Sequence, residues 1–208
     1  MLPDIETARE RVPRSTMARP QEFDTAEALY KAMDVFWRKG YEATSLADLL
    51  DATGLSKSSL YATFGGKREF FLAAFDAYRQ GRAAEMHRIL GHGPARQAIE
   101  RFFRTLFADV ATPGPLRGCM SINQAVEMAP QDASIRERVI GDLQYIQAAL
   151  TQEVERGRAD GSIAATRDPA ELGRLLVLGF PGLQVMARAG FPPQELEHAL
   201  ALLLSHLD

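Results

Sequence analysis

Apolar residues recur along this chain at helical spacing, in blocks that glycine and proline separate. From Leu29 they fall at Ala32, Met33, Phe36 and Trp37, one face of a helix that Gly40 closes. Phe70, Phe71, Ala74, Phe75 and Tyr78 make a wide stripe on a helix that starts near Lys67 and has the length to reach Leu90. Gly91, Gly93 and Pro94 break it. Ile99, Phe102, Phe103, Leu106, Phe107 and Val110 resume the period before a Thr112-Pro113-Gly114-Pro115 loop. A short helix is expected from about Gly118. A longer one carries Ile135, Val139, Leu143, Ile146, Leu150 and Val154, and Gly157 and the Asp160-Gly161 turn end it. Two more run from about Pro169 to Ala189 and from Pro193 to Leu207. β-branched residues never alternate over a strand length, so the expected fold is all-α.

Between the first two long stripes lies the most informative segment, Ser45 to Lys67. Ser45 and Asp48 form a capping box in front of Leu46, Leu49 and Leu50. Gly54 permits a tight turn, and Ser56 can cap a second short helix that turns Leu60 and Phe64 inward. Lys57, Ser58, Ser59, Tyr61 and Thr63 are left facing outward. Two short helices about a glycine turn, the second bearing small polar residues, a lysine and a tyrosine, suit a DNA major groove about 12 Å wide.

The series Thr44-Ser45-Leu46, Asp48-Leu49, Thr53-Gly54-Leu55-Ser56-Lys57, Leu60-Tyr61, Phe64, Lys67-Arg68-Glu69 and Phe71 resembles the DNA-binding domain of the TetR family of transcriptional regulators. The match covers roughly residues 25 to 78. Leu50 and Thr53 stand where alanine is common, Ser58 where glycine is common, and Ala62 and Thr63 where aromatic residues or histidine are frequent. These departures bear on the operator sequence rather than on the fold. The resemblance implies a homodimeric regulator, a repressor, on a palindromic double-stranded operator. Ser58 and Ser59 would lie nearest the bases, and Ser45, Lys57, Tyr61 and Lys67 would hold phosphates. The free amides at the start of the Lys67 helix add to such a clamp.

The expected organisation is a flexible arm over 1–22, a helix-turn-helix domain over 23–78 and a helical effector and dimerisation domain over 79–208. The net charge of −3 sets this chain apart from strongly basic nucleic-acid binders. Within Gly54 to Arg68, however, Lys57, Lys67 and Arg68 occur without an acid. A footprint this small implies modest affinity per half-site and depends on a dimer doubling it. One cysteine excludes an internal disulfide and suits a reducing cytoplasm. No run approaches a membrane span, and no signal-peptide core opens the chain.

Leu172, Leu175, Leu176, Leu178, Phe180, Leu183 and Met186 cover more than one face of their helix, and Leu196, Leu200, Leu203 and Leu207 line the next. Helices this apolar need cover on several sides, which a second copy would supply. The resemblance implies the same interface, an intersubunit four-helix bundle built from Pro169 to Leu207. Phe102, Phe103, Leu106 and Phe107, with Cys119, Met120, Asn123 and Met128, are candidates to line an effector cavity; a filled core reads equally well from sequence. Pro181 is a candidate to kink the dimer helix and open it.

Cys119 follows Arg117-Gly118 at a helix start, where a cation and free amides favour thiolate. It also shares a stripe with Ile122, Asn123 and Val126, where cysteine acts as a small hydrophobe. A thiol-based sensor of electrophiles or oxidants is therefore the alternative to a ligand-gated regulator. The four histidines, His87, His92, His198 and His206, are scattered. No metal cluster, phosphate loop or nucleophile constellation emerges, so neither an enzyme nor a cofactor is expected. A helical enzyme on the same scaffold is the least favoured alternative.

Overall fold

The Asp24 carboxylate accepts from the Ala26 and Glu27 amides and starts α1, Thr25–Lys39. The computed structural model describes residues 24–106 and 116–208, so the expected 1–22 arm, Phe107 and the 112–115 loop lie outside the described residues. α2 (Leu46–Thr53) and α3 (Lys57–Phe64) follow, joined through Gly54 in the left-handed conformation at φ 72°. α4 (Lys67–Ile89) is a single helix that passes without a break through residue 78. α5 (Ala95–Thr105), α6 (Met120–Glu127), α7 (Ala133–Asp160), α8 (Pro169–Arg188) and α9 (Pro193–Leu204) complete the chain, with a closing 3-10 turn over Ser205–Leu207. No strand occurs among the described residues; the fold is all-α.

α1 and α3 pack on the first half of α4, and α2 packs on α1. Phe36, Phe71 and Tyr41 pack ring against ring, with Phe36 and Phe71 edge-on at 5.1 Å. Phe64 stacks on Phe70 at 4.0 Å and fixes the end of α3 against α4. Phe36, Leu49, Leu60, Phe70, Phe71 and Phe75 are fully buried. Removing one such ring costs about 3–5 kcal/mol, so this core can hold α3 at a set angle.

The C-terminal helices pack through close backbone approaches. A Cβ on Gly173 would collide with the Thr151 side chain, and one on Gly179 would meet Leu203 at 2.5 Å. Glycine is what lets α8 lie against α7 and α9. Leu172, Leu176, Phe180, Leu183 and Ala187 face inward from α8, with Leu196, Leu200 and Leu204 from α9. Leu175, Leu178 and Val185 on α8 and Leu202 on α9 do not: Leu178 is 74 % and Leu202 71 % exposed. These α8 positions follow helical spacing and form one apolar face.

One expected stripe is divided. Cys119 and Ile122 are buried, but Asn123 is half-buried and Val126 is 77 % exposed. The inner side of α6 is set instead by Ser121, Gln124 and Met128, at spacings of three and four. Ser121 donates to Asp142 and Gln124 Nε2 to Glu127, while Gln124 Oε1 has no protein partner, and Val126 faces outward.

Candidate nucleic-acid interface and ligand cavity

Ser45 accepts from the Asp48 amide at 3.1 Å, while the Asp48 carboxylate accepts from the Ser45 amide and hydroxyl at 2.8 Å each. Lys39 reaches the same carboxylate at 2.6 Å. The Lys39 ammonium, with the Ser45 donors, holds the Asp48 carboxyl down at about 2. Ser45 itself remains exposed. Across the turn, Ser56 Oγ accepts from the Ser59 amide at 3.0 Å and lies 2.9 and 2.8 Å from the Ser58 and Ser59 hydroxyls. The three serines thus form one hydroxyl cluster at the exposed start of α3. Each of Ser58 and Ser59 can free its hydroxyl for another partner by rotating it.

Lys57 and Tyr61 are exposed beside this cluster, and Thr63 is half-buried on the same short helix. Lys67 opens α4 with its ammonium over the Tyr41 ring, 4.3 Å from the centroid. No side chain caps the helix after Gly66, which leaves its first amides uncapped. Tyr41 was not singled out from the sequence; its place just after Gly40 and four residues before Ser45 was the available signal.

Arg68 belongs to another task. Its guanidinium donates to Asp132 at 2.7 Å and to Ser134 at 3.2 Å, tying α4 to the start of α7. This leaves Lys57 and Lys67 as the cations of the Gly54 to Arg68 stretch that have no ion pair among the described residues.

Three further ties join the DNA-binding helices to the segment around α6. Trp37 Nε1 donates to the Gly118 carbonyl at 2.9 Å. Arg117 pairs with Asp34 at 2.7 Å and lies over the Trp37 ring. At the other end of α6, Glu127 accepts from the Glu42 amide and from Gln124 Nε2, both at 2.9 Å. Gly40, at φ 83°, makes room for it: a Cβ there would lie 2.8 Å from both carboxylate oxygens.

Beside α6 a cavity opens, with about 650 Å³ of empty space including its mouth. Phe102 and Cys119 line it, as do Tyr78, Ile122, Phe180 and Gln184. Of the other residues singled out for a cavity, Leu106 borders a smaller neighbouring recess, and Asn123 faces an outer groove between α1, α6 and α8. Asn123 donates to the Arg117 carbonyl at 3.0 Å. Phe103 and Met120 are fully buried and Met128 nearly so, and none of the three lines the cavity. Tyr78 Oη donates to Cys119 Sγ at 3.5 Å and accepts from the Met120 amide at 3.1 Å. Burial raises the Tyr78 phenol well above its usual range, with the neighbouring thiol adding to this, so it remains a donor at neutral pH. Gln184 was missed from the sequence; a lone amide inside the apolar run of α8 was its signal.

A helix-turn-helix presented by a long helix that continues into a second helical domain defines a class of DNA-binding proteins. Residues 28–74 match the family model for bacterial regulatory proteins of the tetR family, and residues 94–203 match the tetracyclin repressor-like C-terminal domain. The chain belongs to the TetR family and is a DNA-binding transcriptional regulator. It is 32 % identical over 194 residues to the uncharacterised HTH-type transcriptional regulator YezE of Bacillus subtilis, covering 92 % of this chain and 100 % of that one. It is 32 % identical over 182 residues to the HTH-type transcriptional repressor ComR of Escherichia coli, covering 85 % of each. Among solved structures, the regulator CifR, as a cysteine mutant with a 26-base-pair operator, shares 31 % identity at a TM-score of 0.80, over 91 % of this chain and 100 % of that one. No helix among the described residues is long and apolar enough to cross a membrane.

Proposed function

We propose that the protein is a homodimeric repressor that a small molecule, bound in the cavity, releases from its operator. The observation that carries this reading is that one segment belongs to both sites. Residues 119, 121 and 122 line the cavity, while the Gly118 carbonyl and Glu127, at either end of α6, are hydrogen-bonded to the DNA-binding helices. A ligand that displaces α6 therefore strains the ties that set the angle of α3. It shifts the population only by its preference for one arrangement over the other. Leu175, Leu178, Val185 and Leu202 supply an apolar face for a second copy of α8 and α9. Two copies present two α3 helices to successive major grooves of a palindrome. Ser58 and Ser59 read bases; Ser45, Ser56, Lys57, Tyr61, Thr63 and Lys67 position the backbone or the recognition helix. Such a protein works in the cytoplasm.

The test is a gel-shift titration of the purified protein on its own upstream DNA at two salt concentrations, against random competitor. A specific, salt-sensitive complex with two subunits per site supports the proposal. Binding equal on random DNA overturns operator recognition at that site.

A second reading rests on Cys119, whose thiol lines the same cavity and accepts from Tyr78. Oxidation or alkylation there would add bulk at the start of α6 and strain the same ties. Mild peroxide or quinone should then modify Cys119, seen by mass spectrometry, and release DNA from the native protein but not from Cys119→Ser. Release with Cys119 unmodified removes this reading and leaves reversible binding.

A further inference from the structure

We infer that the effector is a small uncharged molecule with an apolar body and one hydroxyl or carboxamide head, which pairs with Gln184. This rests on the effector role proposed above. Gln184 is 95 % buried by its 5 % exposure, lines the cavity, and its Oε1 has no protein partner. A buried amide oxygen left unpaired is costly, and a ligand that supplies a donor recovers that cost on binding. The neighbouring polar groups are already engaged. Tyr78 Oη both donates and accepts, and Thr105 Oγ1 donates to the Phe102 carbonyl at 2.7 Å.

The charges around the cavity are matched among themselves. Arg79 donates to Asp142 at 2.8 Å and to Asp76 at 2.9 Å, and Ser121 donates to Asp142 at 2.7 Å. Arg82 pairs with Glu85 at 2.5 Å. A carboxylate would have to compete with these acids for the guanidinium groups, an ammonium with the arginines for the acids, and either would lose its own water to enter. An uncharged ligand meets no such barrier. Met86, Phe102, Ile122, Ile146 and Phe180 give its body an apolar wall, and the space suits a molecule about the size of a single substituted ring. A hydroxyl or a carboxamide can donate to Oε1, and with the Gln184 amide turned over it can accept from Nε2. An ether or a hydrocarbon cannot donate.

The experiment uses the full-length protein and four ring probes: benzyl alcohol, ethylbenzene, benzoate and benzylammonium. Titration calorimetry and the thermal midpoint report binding, and gel shift reports operator release. Benzyl alcohol should bind about tenfold more tightly than ethylbenzene, a difference one hydrogen bond to a buried partner supplies. Benzoate and benzylammonium should bind more weakly than the alcohol. In the near-isosteric Gln184→Met variant the alcohol should lose its advantage while ethylbenzene still binds. Two results overturn the inference: benzoate binding at least as well as the alcohol, or an alcohol preference that survives in Gln184→Met. Binding with the expected preference but no effect on the operator would overturn the effector role instead. The native protein's alcohol-to-hydrocarbon ratio decides the matter even if the variant fails to fold.

Discussion

The two halves of α4 meet opposite kinds of packing. Its first turns bury Phe70, Phe71, Ala74 and Phe75 in a solid aromatic joint with α1 and α3. Its later turns present Tyr78, Arg79, Arg82 and Met86 to a cavity walled also by α5, α6, α7 and α8. Among the described residues, the buried polar side-chain atoms without protein partners, Gln124 Oε1 and Gln184 Oε1, both lie on the cavity-side helices α6 and α8. A close-packed joint transmits a tilt without absorbing it, whereas a hollow, imperfectly satisfied chamber has alternative arrangements to offer a ligand. One rigid helix bridging the two would give the proposed release a physical route to DNA.

Phe71→Ala should have the largest effect. It opens a fully buried ring site among Phe36, Tyr41 and Phe75, and should destabilise the fold by about 3–5 kcal/mol and abolish operator binding. Phe102→Ala, beside the existing cavity, should cost less and spare DNA binding at low temperature. Denaturant unfolding of both variants breaks the contrast if their costs are equal or reversed.

Next come the proposed phosphate and base contacts. Lys67→Ala should weaken binding about tenfold on every sequence and lower the slope of log affinity against log salt by about 2 for a dimer. Ser59→Ala should change base preference with the slope unchanged. Equal effects of both on random DNA would remove the division between positioning and reading.

Glu127→Ala sharpens the comparison at the joint between the halves. It leaves the Glu42 amide and Gln124 without their acceptor, a loss of about 1–2 kcal/mol. The folded protein should still bind its operator, but the release caused by a given effector concentration should fall. Gel shifts with and without effector measure this; an unchanged release would mean that α6 does not carry the coupling.

The DNA-binding half was legible in the sequence because its signals are local. The Ser45-Asp48 capping box, the Gly54 turn and the Ser56 cap each act within four residues, and the structure forms all three. The cavity was far less legible, since five helices distant in the chain build it. Apolar periodicity places Phe102 and Phe103 on one stripe, yet one lines the cavity and the other packs away from it. Arg68 read as part of a basic footprint because Asp132, its partner, is 64 residues away. The α6 stripe failed for a related reason: polar Ser121 and Gln124 face inward where Asp142 and Glu127 meet them, against the rule that apolar residues do.

The smallest expected effect separates two carboxylates that behave alike but sit in different places. Asp48 lies within the DNA-binding unit; Asp132 joins that unit to α7. Lys39 holds the first at about 2 and Arg68 holds the second at about 2. A carboxyl lowered in the folded state stabilises it above the unfolded value, near 4, and loses that contribution as pH falls toward 2. Both groups are solvent-accessible, so the contributions are small and shrink in high salt. Asp48→Asn and Asp132→Asn should therefore lower the thermal midpoint slightly between pH 5 and 7 and converge on the native curve by about pH 2.5. Asparagine can still cap α7, so the Asp132→Asn difference reports the bond to Arg68 rather than the cap. Only Asp132→Asn should also loosen the C-terminal domain's grip on α4, seen as faster amide exchange at the start of α7. Exchange that rises equally there in Asp48→Asn would show the two regions to be less separate than their packing implies.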